Sequence, residues 1–306
     1  MKVSFIIPCR NKAPHVVETI QSVFAQCYSP IEIILSDQGS IDGTSEIINK
    51  LAGEYDGPHS VHVLSCPHTD LHGMPGLNAH LNWLDTQIQG DIVIMSSADD
   101  INHPDRTEYT VRAFKEYDPS YVNTTVRYIE PDGSDPKFTN FPNIGTRWIG
   151  IEESIRHQIH SSGSSAWARD LFQKHGPLIG CEQQDMILPM MALFERGIFY
   201  IDTPLHTYIH HSSRMNTGFQ GQIKAAESDE ERIQLVELNN FIHVRNWTSV
   251  LNRWQQQPDW LLKLAESQGD LDAFLEKIAT TSYAWSTVRE AMILNGIRPL
   301  QMNIGL

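Results

Sequence analysis

The sequence predicts an α/β fold, a mostly parallel central sheet with flanking helices, followed by a helical C-terminal extension. Two observations carry this. Over residues 1–128, short β-branched runs alternate with amphipathic segments in the rhythm of βαβ units. Beyond Gly218, the stretches 222–244, 247–267 and 271–294 read as helices. Between them, 129–217 loses the rhythm: Pro131, Asp132, Gly133, Pro136, Pro142 and Gly145 mark loops, and a serine-rich segment follows at 161–165.

Taken in order, strands are expected at 3–8, 31–36, 61–65, 91–96 and 121–128. Helix 14–26 places Val17, Ile20, Val23 and Phe24 at helical spacing, and 44–52 follows a turn at Gly43. Helix 75–87 follows Gly73, and 104–117 opens with Pro104, a residue suited to a first turn because it lacks the N–H that would go unpaired there. Three segments follow from this division: 1–128, 129–217 and the appendage 218–306, whose aromatic-rich helices offer a surface for an intramolecular interface or for a homodimer.

Bulk properties narrow the function classes. The chain has 306 residues, enough for one large α/β domain or two smaller ones. With 37 acidic and 23 basic side chains it carries a formal charge of −14, which disfavours nucleic acid as a partner. Its longest apolar runs are of strand length, far short of the roughly 20 residues of a spanning helix. The first of them meets Pro8, Arg10, Asn11 and Lys12 at once, which fits a buried strand better than a leader. Four scattered cysteines without CxxC spacing argue against a zinc knot or a disulfide framework, and a cytoplasmic setting is expected.

A parallel α/β sheet binds its ligand beyond the carboxyl ends of its strands, so the residues after each strand are the candidates. After the first come Pro8, Cys9, Arg10 and Asn11; after the second, Asp37-Gln38-Gly39-Ser40 runs to Thr44. A carboxylate followed by Gly and Ser in a tight turn suits a base or ribose, and equally suits a capped helix start. The fourth strand ends in Ser97-Ala98-Asp99-Asp100. Adjacent carboxylates repel, which makes sense beside a divalent cation or ligand hydroxyls, Mg²⁺ or Mn²⁺ rather than zinc; a cap for the helix at Pro104 is the alternative. Glu182 and Asp185, at i and i+3, share one face of a helix's first turn, as a general base or as a capping box. Trp148, Trp167 and His160 are candidates for stacking on or bonding to a ligand, though large aromatics more often build cores or interfaces.

In this order and spacing, these clusters resemble the family 2 glycosyltransferases of the GT-A superfamily. The likeness runs over residues 2–215: the opening 3–12, the helix 20–26, the Asp37–Thr44 turn, and Asp99-Asp100 through Pro104-Asp105-Arg106, which is similar to a DXD-type metal motif. The resemblance implies a GT-A fold and a nucleoside-diphosphate sugar donor, UDP-linked by preference. Pro8, Arg10, Asn11, Asp37 and Gln38 would line the nucleoside pocket, and Asp99 would face ribose or metal. Asp100 would bind the metal, Asp185 would be the base with Glu182 beside it, and His211 would approach the metal from a closing loop at 208–213. Ser97 replaces the first DXD acid, Gln38 a second acid near the base, and Leu77 and Ile209 two frequent arginines.

Implied with the family is metal-assisted in-line displacement with inversion, onto a hydroxyl acceptor, a saccharide by preference. Two other readings stay open at this point. A degenerate member that only binds sugar nucleotides or a partner is one. The other is a sugar-phosphate nucleotidyltransferase, which expects a glycine-rich phosphate loop where residues 8–12 contain no glycine.

Overall fold

The computed structural model describes residues 1–130, 133–134, 144–150, 162–179, 183–193, 195–209, 211 and 228. The chain divides into two units, Met1–Gly150 with His157–His210, and Ile151–Arg156 with His211–Leu306. The second is almost entirely outside the described residues, and so are the helices expected in 218–306.

In the first unit, β1 (Val3–Cys9), β2 (Glu32–Asp37), β3 (Ser60–Ser65) and β4 (Ile92–Met95) form a parallel strip in the order β3-β2-β1-β4. Helices α1 (Val16–Phe24), α2 (Thr44–Glu54) and α3 (Gly73–Asp85) link them. Strands covered on both faces read as continuous apolar runs, and β1 and β4 do so: Val3, Phe5, Ile6, Ile7, Ile92, Val93 and Ile94 are all buried. Each such side chain contributes on the order of 1.5–3 kcal/mol relative to exposure.

The remainder departs from the sequence reading. After α4 (Arg106–Tyr117) and β6 (Tyr121–Ile129), the stretch read as irregular holds β7 (Arg147–Ile149), β8 (Ser165–Ala168), α5 (Asp170–His175) and β9 (Ile198–Ile209), while α6 (Gln184–Leu193) is the helix expected around Asp185. The sheet continues β4-β8-β6-β9-β5, where β5 is Asp100–Asn102, and β7 joins the other part of β9. β6 and β9 run parallel; β8, β5 and β7 run antiparallel to their neighbours. Two local expectations change as well. Pro104 lies ahead of α4, whose N-cap residue is Asp105, and α1 turns Val16 and Thr19 inward with Ile20 and Val23, leaving Val17 and Phe24 half-buried.

Candidate active site

The carboxyl ends of β1, β2 and β3 are level, with Cys9 beside Asp37 and Asp37 beside Ser65. Asp37 is 7% exposed, and its carboxylate accepts hydrogen bonds from the Ser40 backbone N–H (3.1 Å) and hydroxyl (2.5 Å). Asn11 adopts φ 51°, a left-handed conformation that asparagine tolerates. That turn lets its side-chain oxygen accept from Ile41 N (2.9 Å) while its own N–H reaches Ser40 Oγ (2.8 Å). Next to it, Lys12 N donates to Thr44 Oγ1 (2.7 Å) and Ala13 N to Asp42 Oδ2 (3.0 Å). Partial burial works against ionisation of Asp42, but the hydrogen bonds from Thr44 and Ala13 prevail and lower its pKa. The loops after β1 and β2 therefore form one hydrogen-bonded rim.

Arg10 and Gln38 brace that rim against the loop leading into α3. The Arg10 guanidinium donates to the carbonyls of Thr69 (3.0 Å) and Leu71. Gln38, 4% exposed, donates its amide to His68 O (2.8 Å) and Gly76 O (3.0 Å). Glycine is required at 76, because a Cβ there would sit 2.6 Å from Leu71 O. Pro8, in β1, is half-buried and registers with Ser36.

Asp99 and Asp100 follow β4, 3% and 1% exposed, and the capping alternative fails: α4 has Asp105 at its N-cap and no side-chain cap bond. Each acid has its own cationic support. Lys12 Nζ lies 2.5 Å from Asp99 Oδ2. Asp100 Oδ2 lies 3.0 Å from His206 Nε2, and His206 Nδ1 lies 3.4 Å from an Arg106 amino group. A guanidinium can only donate, so Nδ1 is the acceptor; Nε2 then carries the proton and donates it to Asp100.

Arg106 is itself 1% exposed. It donates to Met95 O (2.8 Å), Ser165 O (3.2 Å) and the Asn102 side chain, and stands 5.5 Å over the Phe5 ring. Burial pulls its pKa down to about 9, partly opposed by Asp100 and Tyr121, so it stays charged at neutral pH. β5 creates the arrangement by pairing Asn102 with His206 and Asp100 with Tyr208 on β9. Gly163 closes it: a Cβ there would lie 2.7 Å from His206 Nε2 and 2.8 Å from Asp100 Oδ2.

Asp185 sits in the first turn of α6. Part of its surface reaches solvent, yet the surrounding protein mass desolvates the carboxyl and pushes its pKa up to about 6, against the pull of its own backbone N–H. Its charge acts on the buried phenol of Tyr121, which burial first and then Asp185 drive upward while Arg106 opposes them.

Asp99, Asp100, Asp37, Asn11 and Arg10 therefore occupy loops and strand ends that hydrogen bonds and Lys12 join together. Glu182, His160 and His210 lie outside the described residues, and His211 is half-buried and belongs to the second unit. Tyr208 and Ile209, expected in a closing loop, are the last residues of β9. Trp167 is core, 2% exposed, while Trp148 is 45% exposed. The sequence reading missed Lys12, His206 and the supporting role of Arg106. Among the described residues no cluster of three His, Cys, Asp or Glu side chains gathers. What is present is a pair of hard carboxylates, one already holding an ammonium ion, and that donor set suits Mg²⁺ or Mn²⁺ completed by ligand oxygens and water.

Comparison with known proteins agrees with this geometry. The profile of glycosyl transferase family 2 matches residues 4–199. The chain is 32% identical over 222 residues to the undecaprenyl-phosphate 4-deoxy-4-formamido-L-arabinose transferase of Yersinia enterocolitica, covering 70% of this chain and 60% of that protein. It is 31% identical over 133 residues to the chondroitin synthase of Pasteurella multocida, covering 43% of this chain and 13% of that one. The chain thus spans less than two thirds of the length of these relatives. Among solved structures, S. aureus TarS 1-349 with UDP-GlcNAc matches at a TM-score of 0.58 and 15% identity, covering 97% of this chain and 92% of that one. The mannosyltransferase PcManGT from Pyrobaculum calidifontis, with GDP-Man and Mn²⁺, matches at 0.55 and 17%, covering 97% and 86%. These likenesses show a shared GT-A fold, and with the profile match over most of its length, the chain belongs to glycosyl transferase family 2.

Proposed function

We propose that this chain is an inverting glycosyltransferase that moves a sugar from a nucleoside-diphosphate donor, UDP-linked by preference, to an acceptor hydroxyl, a saccharide by preference. The observation that carries the reading is the different setting of its carboxylates. Asp99 and Asp100 are buried at the end of β4 and engaged by Lys12 and by the His206–Arg106 pair. Asp185 is desolvated to about 6, where a carboxylate serves as a general base near neutral pH.

In this reading Asp37, Arg10, Asn11, Pro8 and Gln38 surround the nucleoside, and Asp99 faces the ribose or the metal. A divalent ion, Mn²⁺ or Mg²⁺, held by Asp99 and Asp100, would offset the negative charge of the departing diphosphate. Asp185, with Glu182 beside it, removes the acceptor's proton, and displacement in line inverts the anomeric centre. The UDP-GlcNAc in TarS and the GDP-Man with Mn²⁺ in PcManGT support such a donor, and the saccharide product named for chondroitin synthase supports such an acceptor. Among the described residues no helix is long and apolar enough to cross a membrane. A cytoplasmic enzyme, dimeric through its C-terminal segment, completes the proposal.

Turnover of UDP-sugars and GDP-sugars on a saccharide acceptor panel tests it. Asp185→Asn is expected to lower the rate by about 10²–10⁴ while Mn²⁺-dependent nucleotide affinity is retained. A near-normal rate would remove Asp185 as the base.

A further inference from the structure

The two acids at the end of β4 are not waiting empty for a cation, because Lys12 already sits on one of them. Its position is built in: Lys12 N is fixed by Thr44 Oγ1 and the next N–H by Asp42, so the main chain is anchored on the β2–α2 turn while the side chain reaches across to Asp99. The ammonium is 2.5 Å from Asp99 Oδ2, with side-chain exposures of 20% for Lys12 and 4% for Asp99. Asp100 is separately engaged by His206, which Arg106 backs. Both acids are thus already engaged by groups of the protein.

A divalent ion that engaged Asp99 as well as Asp100 would meet the Lys12 charge on the same carboxylate, and like charges at that separation repel strongly when water is scarce. Lysine is a point charge on a flexible four-carbon stem, so it can leave while its main chain stays in place. Its partial exposure leaves a route outward, toward ligand at the strand ends.

We infer that Lys12 and the divalent ion compete for Asp99, and that the displaced ammonium then pairs with the donor's diphosphate, so that metal and nucleotide bind cooperatively. The inference rests on the donor-site reading above.

The test is Mn²⁺ affinity, read from the loss of the free-ion EPR signal, with and without UDP or GDP. Lys12→Met is expected to bind Mn²⁺ alone on the order of tenfold more tightly than the unaltered chain. It is also expected to lose most of the mutual enhancement between Mn²⁺ and nucleotide, which linkage makes equal in both directions. Lys12→Gln, which keeps a hydrogen-bonding group of neutral charge, should move the same way, and thermal melting checks that both variants fold. In an Asp99→Asn background the Lys12 effect should vanish, which separates competition at this carboxylate from a general change of surface charge. If nucleotide and Mn²⁺ bind together in the unaltered chain but Lys12→Met holds Mn²⁺ no more tightly, the lysine exchange is wrong and the donor site stands. If the folded, unaltered chain binds neither, the donor-site reading falls and the exchange with it.

Discussion

Replacing Gly163 by alanine tests the buried support of Asp100 without removing any of its groups. The new Cβ would lie 2.7 Å from His206 Nε2 and 2.8 Å from both His206 Cε1 and Asp100 Oδ2. Carbon contacts relax at about 3.5–4.0 Å, so these atoms would have to retreat by more than about half an ångström. They cannot do so easily, since His206 and Asp100 are 0% and 1% exposed. The φ of Gly163 is not left-handed, so alanine adds bulk and no backbone strain. Overpacking of this kind costs about 1–3 kcal/mol, and a lost charge-assisted hydrogen bond falls in a similar range.

The expected drop in Tm is about 3–10 °C. Mn²⁺-dependent nucleotide binding should weaken in parallel, because Asp100 loses its orientation. A second arm isolates the cause. In a His206→Ala background two of the three crowded atoms are gone, so the added cost of Gly163→Ala should fall by about 1 kcal/mol or more. Strict additivity, or a Tm within 1 °C of the unaltered chain, would refute the claim that Gly163 is there to let His206 reach Asp100.

Three further outcomes follow from the same structure. Asp185 has its folded pKa raised from 3.8 to about 6, so the folded state prefers it protonated; that contribution is present below pH 3.8 and lost as pH rises through about 6. Asp185→Asn should therefore stabilise the protein at pH 8 by on the order of 1–2 kcal/mol after allowance for partial exposure, with little effect at pH 4. In the unaltered enzyme kcat/KM should fall about tenfold per pH unit below 6, and a flat profile down to pH 5 would contradict the base assignment. Gln38→Ala would strip the amide from the carbonyls of His68 and Gly76 and cost about 1–3 kcal/mol, read as faster hydrogen exchange across residues 66–76; unchanged exchange would show that the loop holds itself.

How much of this was legible in the sequence depends on the range of the interaction. The strands β1, β2, β3, β4 and β6 declared themselves through short β-branched runs, and the residues at their ends followed from the rule for parallel sheets. β5, β7 and β8 are three or four residues long, too short to display a period. β9 was hidden differently. Its twelve residues carry Asp202 and Pro204, and its pairing with β6 shifts register around Thr125, so no alternation survives.

The site divides along the same line. Asp99, Asp100, Asp37 and Asp185 could be picked out from local motifs. Lys12 meets Asp99 across 87 positions and His206 meets Asp100 across 106, and a lone lysine or histidine carries no local mark of such a partner.

The most direct test of the central claim is a thermal-shift panel of UDP, GDP, CDP and dTDP, each alone and as a sugar conjugate, with and without Mn²⁺, on the unaltered chain and on Asp100→Ala. The account predicts that one nucleoside diphosphate stabilises the chain in a Mn²⁺-dependent manner and that Asp100→Ala abolishes the shift. A folded chain stabilised by none of them, or stabilised equally with Asp100 removed, would contradict it.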